Sequence, residues 1–149
     1  RLGAALMGDS TRFTGAARSI GYRWFTDPAV RALHPAEDHD FYSRLYVSGL
    51  RGVATLRGPE SRAARLAHEL HATNAEFRAR WEQHEVGLAP KDMKRYQHPA
   101  VGYLELQCQV LLDPAQAHSL LVFTATPGSE SHEKLELLSV LDAAQAAAR

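Results

Sequence analysis

The apolar residues of this chain change their period once, at Ala89-Pro90. Upstream they recur at steps of three and four. Downstream they alternate with polar residues. A helix buries a stripe of period 3.6, whereas a strand buries every second residue. A chain that runs through helices first and strands afterwards belongs to the α+β class, with the sheet antiparallel and helices packed on it.

The helical part divides at clear punctuation. Ala4 to Met7 forms a short helix closed by Gly8-Asp9-Ser10. Ala16 to Phe25 predicts a second helix, with Ala17, Ile20 and Trp24 on one face. Asp27-Pro28 is a helix start, Asp as cap and Pro in the first turn, and opens a short helix over Ala29 to Leu33. The longest helix is expected from about Glu37 to Arg57, where Tyr42, Tyr46, Leu50 and Val53 make one stripe. Gly58-Pro59 ends it. A helix from about Glu60 to His71 gathers Ala63, Leu66, Ala67 and Leu70. Thr73-Asn74-Ala75-Glu76 has the form of a capping box and opens a helix on which Phe77, Trp81 and His84 share a face.

Three strands are expected after Pro90. Met93 to His98 is the first, and His98-Pro99-Ala100-Val101-Gly102 turns the chain. Tyr103 to Leu112 alternates cleanly. Leu104, Leu106, Cys108, Val110 and Leu112 take one face, while Tyr103, Glu105, Gln107 and Gln109 take the other, as in a half-buried antiparallel strand. Asp113-Pro114 turns again, and Ser119 to Thr126 is the third strand. Pro127-Gly128-Ser129 breaks it. Ser129 then caps a last helix carrying Leu135, Leu138 and Leu141, whose tail from Ala143 has no core face. There is no internal repeat, so the 149 residues read as one domain.

Charge excludes one function class. Lys plus Arg and Asp plus Glu both number 17, so this part of the chain offers no nucleic-acid surface, which needs clustered cations. Cys108 is the single cysteine, which fits a reducing cytoplasm and a small buried hydrophobe. No apolar run approaches a membrane span. Hydrolase, phosphate-loop and zinc-protease motifs are all missing, so catalysis is not expected and no cofactor or metal is implied. His68 and His71, and His34 and His39, are paired in sequence without a third ligand to converge on them.

Polar residues near the aromatic ones admit two readings each. His84 either satisfies carbonyls at a helix end or faces a pocket. His98 before Pro99 either fixes the turn or contacts a ligand. Arg51 on the long helix, and Arg18 on the second, either reach solvent or hold a ligand carboxylate through the planar guanidinium fork. A helical layer over a sheet leaves room for an apolar cavity.

Several pieces, in this order, resemble the ligand-binding domain of MmyB-like transcription regulators. They are Trp24-Phe25-Thr26-Asp27-Pro28 with Arg31 and Leu33, Leu50-Arg51, Glu69-Leu70, Glu76-Phe77 with Trp81 and His84, His98-Pro99, Val101-Gly102 with Leu104, and Pro127-Gly128-Ser129. The resemblance covers essentially the whole chain. It implies a PAS-like sensor domain of a bacterial, XRE-type helix-turn-helix regulator, no catalytic residues, and a small apolar or amphipathic ligand such as a long-chain fatty acid. It also implies a helix-turn-helix domain and two strands preceding this segment, with DNA bound only through that other domain. The residues expected to line the ligand are Trp24, Phe41, Leu45, Arg51, Phe77, Trp81, His84, Tyr96, His98, Leu104 and Leu106. One departure is Ser19, which follows Arg18 where many members carry Asn. The alternative reading is a dimerisation module of the same fold that holds no ligand.

Overall fold

The structure is a computed structural model that describes residues 2–113 and 118–147. It is an α+β fold with, among the described residues, seven α-helices and one three-stranded antiparallel sheet. The chain divides into two compact units. One comprises residues 11–90 and is helical; the other comprises residues 1–10 and 91–149 and holds the sheet.

The helical unit opens with a 3-10 turn, Gly15–Arg18, and then α2, Ile20–Thr26; α1 belongs to the sheet unit. Sequence periodicity suggested one continuous helix from Ala16 to Phe25. The break falls at Ser19, which is extended and whose Oγ accepts the Tyr22 amide at 3.3 Å. A hydroxyl that caps a helix cannot sit inside it. Ile20, expected on the inner face, is consequently exposed, while Trp24 and Phe25 are buried. Asp27 caps α3, Pro28–Ala32, through the Ala29 amide at 3.0 Å.

A second 3-10 turn, Ala36–Asp38, leads into α4, His39–Arg57, which Gly58 terminates at φ 83°. The buried side of α4 centres on Tyr42, Ser43, Val47 and Ser48. Tyr46 and Leu50 pack against the core, but Val53 lies beyond it and is exposed. Ser61 caps α5, Arg62–Thr73, whose Ala63, Leu66, Ala67 and Leu70 are all buried as the pattern required. The capping box expected at Thr73 is not formed. Asn74 is the cap of α6, Ala75–Glu82, accepting the Phe77 amide at 2.8 Å. Thr73 instead donates back to the Glu69 carbonyl within α5, and Glu76 turns away to Arg31. One core unites Trp24, Phe25, Val30, Tyr42, Val47, Ala67, Leu70 and Phe77.

In the sheet unit the order is β1, Met93–His98, then β2, Gly102–Asp113, then β3, His118–Thr124. Tyr96 pairs with Leu104, and Val110 with Leu121. The alternation of β2 holds through Cys108: Leu104, Leu106 and Cys108 are buried, and Val110 is exposed. The turn expected at Asp113-Pro114 lies outside the described residues. Two helices of this unit cover the inner face, α1, Leu2–Met7, and α7, Glu130–Ala147. Leu6 and Leu138 complete a core with Tyr96, Val101, Leu104 and Leu106, and Leu135 and Leu141 pack on it. The α7 N-terminus also takes over where β3 leaves β2. The Glu105 amide donates to Ser131 Oγ at 2.9 Å, and Lys134 Nζ donates to the Tyr103 carbonyl at 2.9 Å. Backbone groups that lose a strand partner are thereby satisfied by a helix.

Candidate functional site

Aromatic side chains concentrate in the helical unit. Trp24 is the hub. Its ring centroid lies 5.5 Å from those of both Tyr42 and Tyr46 and 5.4 Å from His39. Phe25 meets Phe77 edge-on at 5.2 Å, and Phe77 stacks on Trp81 at 5.5 Å. Such tilted and offset pairs suit the ring quadrupoles.

Around the hub runs a closed polar network. Trp24 Nε1 donates to Ser43 Oγ at 2.9 Å, and Ser43 donates to Glu76 Oε1 at 2.6 Å. Arg31 donates through Nη2 to Glu76 Oε2 at 2.6 Å and through Nε to the Trp24 carbonyl at 3.0 Å. These contacts tie α2, α3, α4 and α6 together and give Glu76 and Arg31 a structural role.

Two arginines of the same unit are not so well served. The Arg51 guanidinium lies over the Trp81 ring, with Cζ 3.9 Å from its centroid, and one Nη donates to the Trp81 carbonyl. Its Nε is shielded from solvent and meets no acceptor among the described residues. Arg23 repeats the pattern over Phe13, with Cζ at 4.0 Å and Nε shielded and unmet. A shielded donor on a cation without an acceptor is costly. Beside Arg23, burial pushes the Tyr46 phenol up to about 12, with the Arg23 charge pulling in the opposite direction.

The eleven residues expected to line a ligand fall in both units. In the helical unit Trp24 and Phe77 are core, Phe41, Leu45 and Trp81 pack against that core, and Arg51 lies on Trp81. His84 does not share the face of Phe77. Helix α6 stops at Glu82, and His84 follows it exposed, in the left-handed region at φ 55°, with its amide on the Trp81 carbonyl at 3.2 Å. In the sheet unit Tyr96, Leu104 and Leu106 belong to the core. His98 is buried and bonded twice. Its Nδ1 accepts the Ala100 amide at 3.2 Å, so its Nε2 carries the proton and donates to the Ala5 carbonyl at 3.0 Å. That geometry fixes the turn and fastens α1 to β1. Arg18 is exposed at the end of its 3-10 turn.

Sequence reasoning passed over Arg23, although a signal was present: it is a charge inside the aromatic run Tyr22 to Phe25. Ser43 carried no such signal.

The profile of one protein family, the MmyB-like transcription regulator ligand binding domain, matches residues 1–138 and so spans both units. No curated protein and no solved structure matches the chain.

Proposed function

Because this chain belongs to the family of MmyB-like transcription regulator ligand binding domains, we propose that its two units act as one sensory domain, binding a small apolar or amphipathic molecule such as a long-chain fatty acid and signalling to a helix-turn-helix domain elsewhere in the protein. The observation that carries the ligand class is Arg51. Its guanidinium stacks on Trp81 at the margin of an aromatic core, with a shielded Nε–H that no oxygen of the described residues meets. A carboxylate suits a guanidinium held at such a margin, and an acyl chain suits the aromatic surroundings. The residues that line the ligand are, on this reading, among the eleven named above. Signalling follows by population shift: a ligand that prefers one arrangement of the domain biases the attached DNA-binding part toward it. The domain is a sensor and not an enzyme, and it works in the cytoplasm; no helix among the described residues is long and apolar enough to cross a membrane.

Calorimetric titration with saturated fatty acids of increasing length tests the reading. Binding with a negative heat-capacity change is expected. Absence of both heat and thermal shift at every length would reject it.

A second reading, self-association, is favoured by one observation. β3 lies at an edge of the sheet, and its Leu120 and Leu121 are exposed. Edge strands pair readily with a second copy when neither Pro nor charge blunts them.

A further inference from the structure

Two guanidinium groups of the helical unit converge on a single ring. Cζ of Arg23 lies 4.0 Å, and Cζ of Arg12 4.9 Å, from the centroid of Phe13. Arg12 is exposed, and Arg23 is half-buried with its Nε shielded. Among the described residues neither has a carboxylate partner, whereas Arg31, Arg44 and Arg80 of the same unit each have one. The sequence supplies the reason. Thr11 to Thr26 contains no Asp or Glu, and the first acid to follow, Asp27, is occupied with the cap of α3. The segment is held in place from another helix, since Arg62 of α5 donates to the Gly15 carbonyl.

The ring face offsets part of each charge but accepts no in-plane N–H, and Arg23 Nε is left without an acceptor among the described residues. Two like charges sharing one ring repel each other, and an anion within reach of both relieves that repulsion. A carboxylate carries one charge and two oxygens. A phosphate monoester carries close to two charges near neutral pH and presents three acceptor oxygens, which two guanidinium forks can divide. We propose that Arg12, Phe13 and Arg23 form a binding site for a phosphate monoester dianion. None of the eleven residues assigned to the apolar ligand belongs to it, so the proposal stands apart from that reading. The phosphate belongs either to a soluble ester or to a phospholipid headgroup.

Arginine Nε–Hε correlations of nitrogen-15-labelled protein test this. Glycerol 3-phosphate and inorganic phosphate are titrated at constant ionic strength near neutral pH, with acetate as the control. The Arg23 signal is expected to shift saturably with phosphate and not with acetate. Arg12→Gln, at an exposed position, and Arg23→Gln are each expected to weaken binding about tenfold or more, and Arg23→Lys is not expected to restore it, because an ammonium lacks the planar fork. Competition with vesicles of phosphatidic acid in phosphatidylcholine assigns the source: displacement of the soluble ester means a headgroup, and no displacement means a soluble ligand. A phosphate titration without saturation, an equal response to acetate, or an Arg12→Gln variant that titrates like the parent would overturn the site.

Discussion

Trp24 Nε1 and Ser43 Oγ are 2.9 Å apart, at a place where the serine is wholly buried and the tryptophan all but so. The hydroxyl accepts from the indole and from Arg31 Nη2 and donates to Glu76. Ser43→Ala strands one buried donor and one carboxylate oxygen. A loss of about 1–3 kcal/mol is expected. Trp24→Phe combined with Ser43→Ala should cost less than the two single changes summed, since the indole N–H disappears with its acceptor. Urea denaturation of the four proteins measures this, and strict additivity would show that the hydrogen bond is dispensable.

Trp81 is expected to be structural before it is functional. It stacks on Phe77 and lies under the Arg51 cation. Being half-buried, its truncation to Ala should cost about 3 kcal/mol, the low end for aromatic-to-alanine changes in cores. A Trp81→Ala protein that melts like the parent but no longer binds fatty acid would reverse this assignment.

Arg51→Met keeps much of the stem that covers Trp81 and removes the donors. Affinity for a saturated fatty acid should fall about tenfold or more, while affinity for the alcohol of equal chain length stays within about a factor of two, because only the acid presents a charge to the guanidinium. Equal losses for acid and alcohol would move the headgroup elsewhere.

Tyr46 sets an alkaline limit. Burial raises its phenol from 10.0 to about 12, so the folded state keeps a proton that the unfolded state sheds. The stabilising contribution is complete below pH 10.0 and declines as pH rises through about 12. Tyr46→Phe should therefore remove the highest-pH component of the near-ultraviolet tyrosinate titration and flatten the loss of stability over that window. If the last component survives the substitution, it belongs to another tyrosine; Tyr22, raised by its hydrogen bond to Glu69, is the first to test.

The edge of β3 bears on self-association. Leu120 and Leu121 are exposed on opposite faces of a strand whose partner, among the described residues, lies on one side only. Light scattering after size exclusion should report a dimer, and Leu120→Lys should return it to monomer by placing a charge on the edge. A parent protein that is monomeric at high concentration ends the idea.

The elements were largely readable in advance because each rests on short-range chemistry. The period of two in Tyr103 to Cys108 yielded both the strand and its buried face, and the stripe Ala63, Leu66, Ala67, Leu70 is the inner side of α5. Asp27 marked a cap for the same reason: its side chain answers an amide two residues away. The ordered Leu50-Arg51, Trp81, His98-Pro99 and Pro127-Gly128-Ser129 pieces sufficed to point to the family. Where the sequence misled, one polar side chain had two uses and only packing chose between them. Ser19 could have continued a helix and instead caps one. Glu76 fits a capping box and instead is drawn to Arg31 and Ser43, each of which donates to one of its two oxygens. His84 follows Trp81 at three residues, but the helix ends before it, so the spacing no longer sets a common face. The placement of Arg51 over Trp81 and of Arg23 over Phe13 was likewise decided in three dimensions, because each cation reaches a ring brought to it by the tertiary fold. Sequence fixes which residues are able to pair; the backbone path decides which of them come within reach.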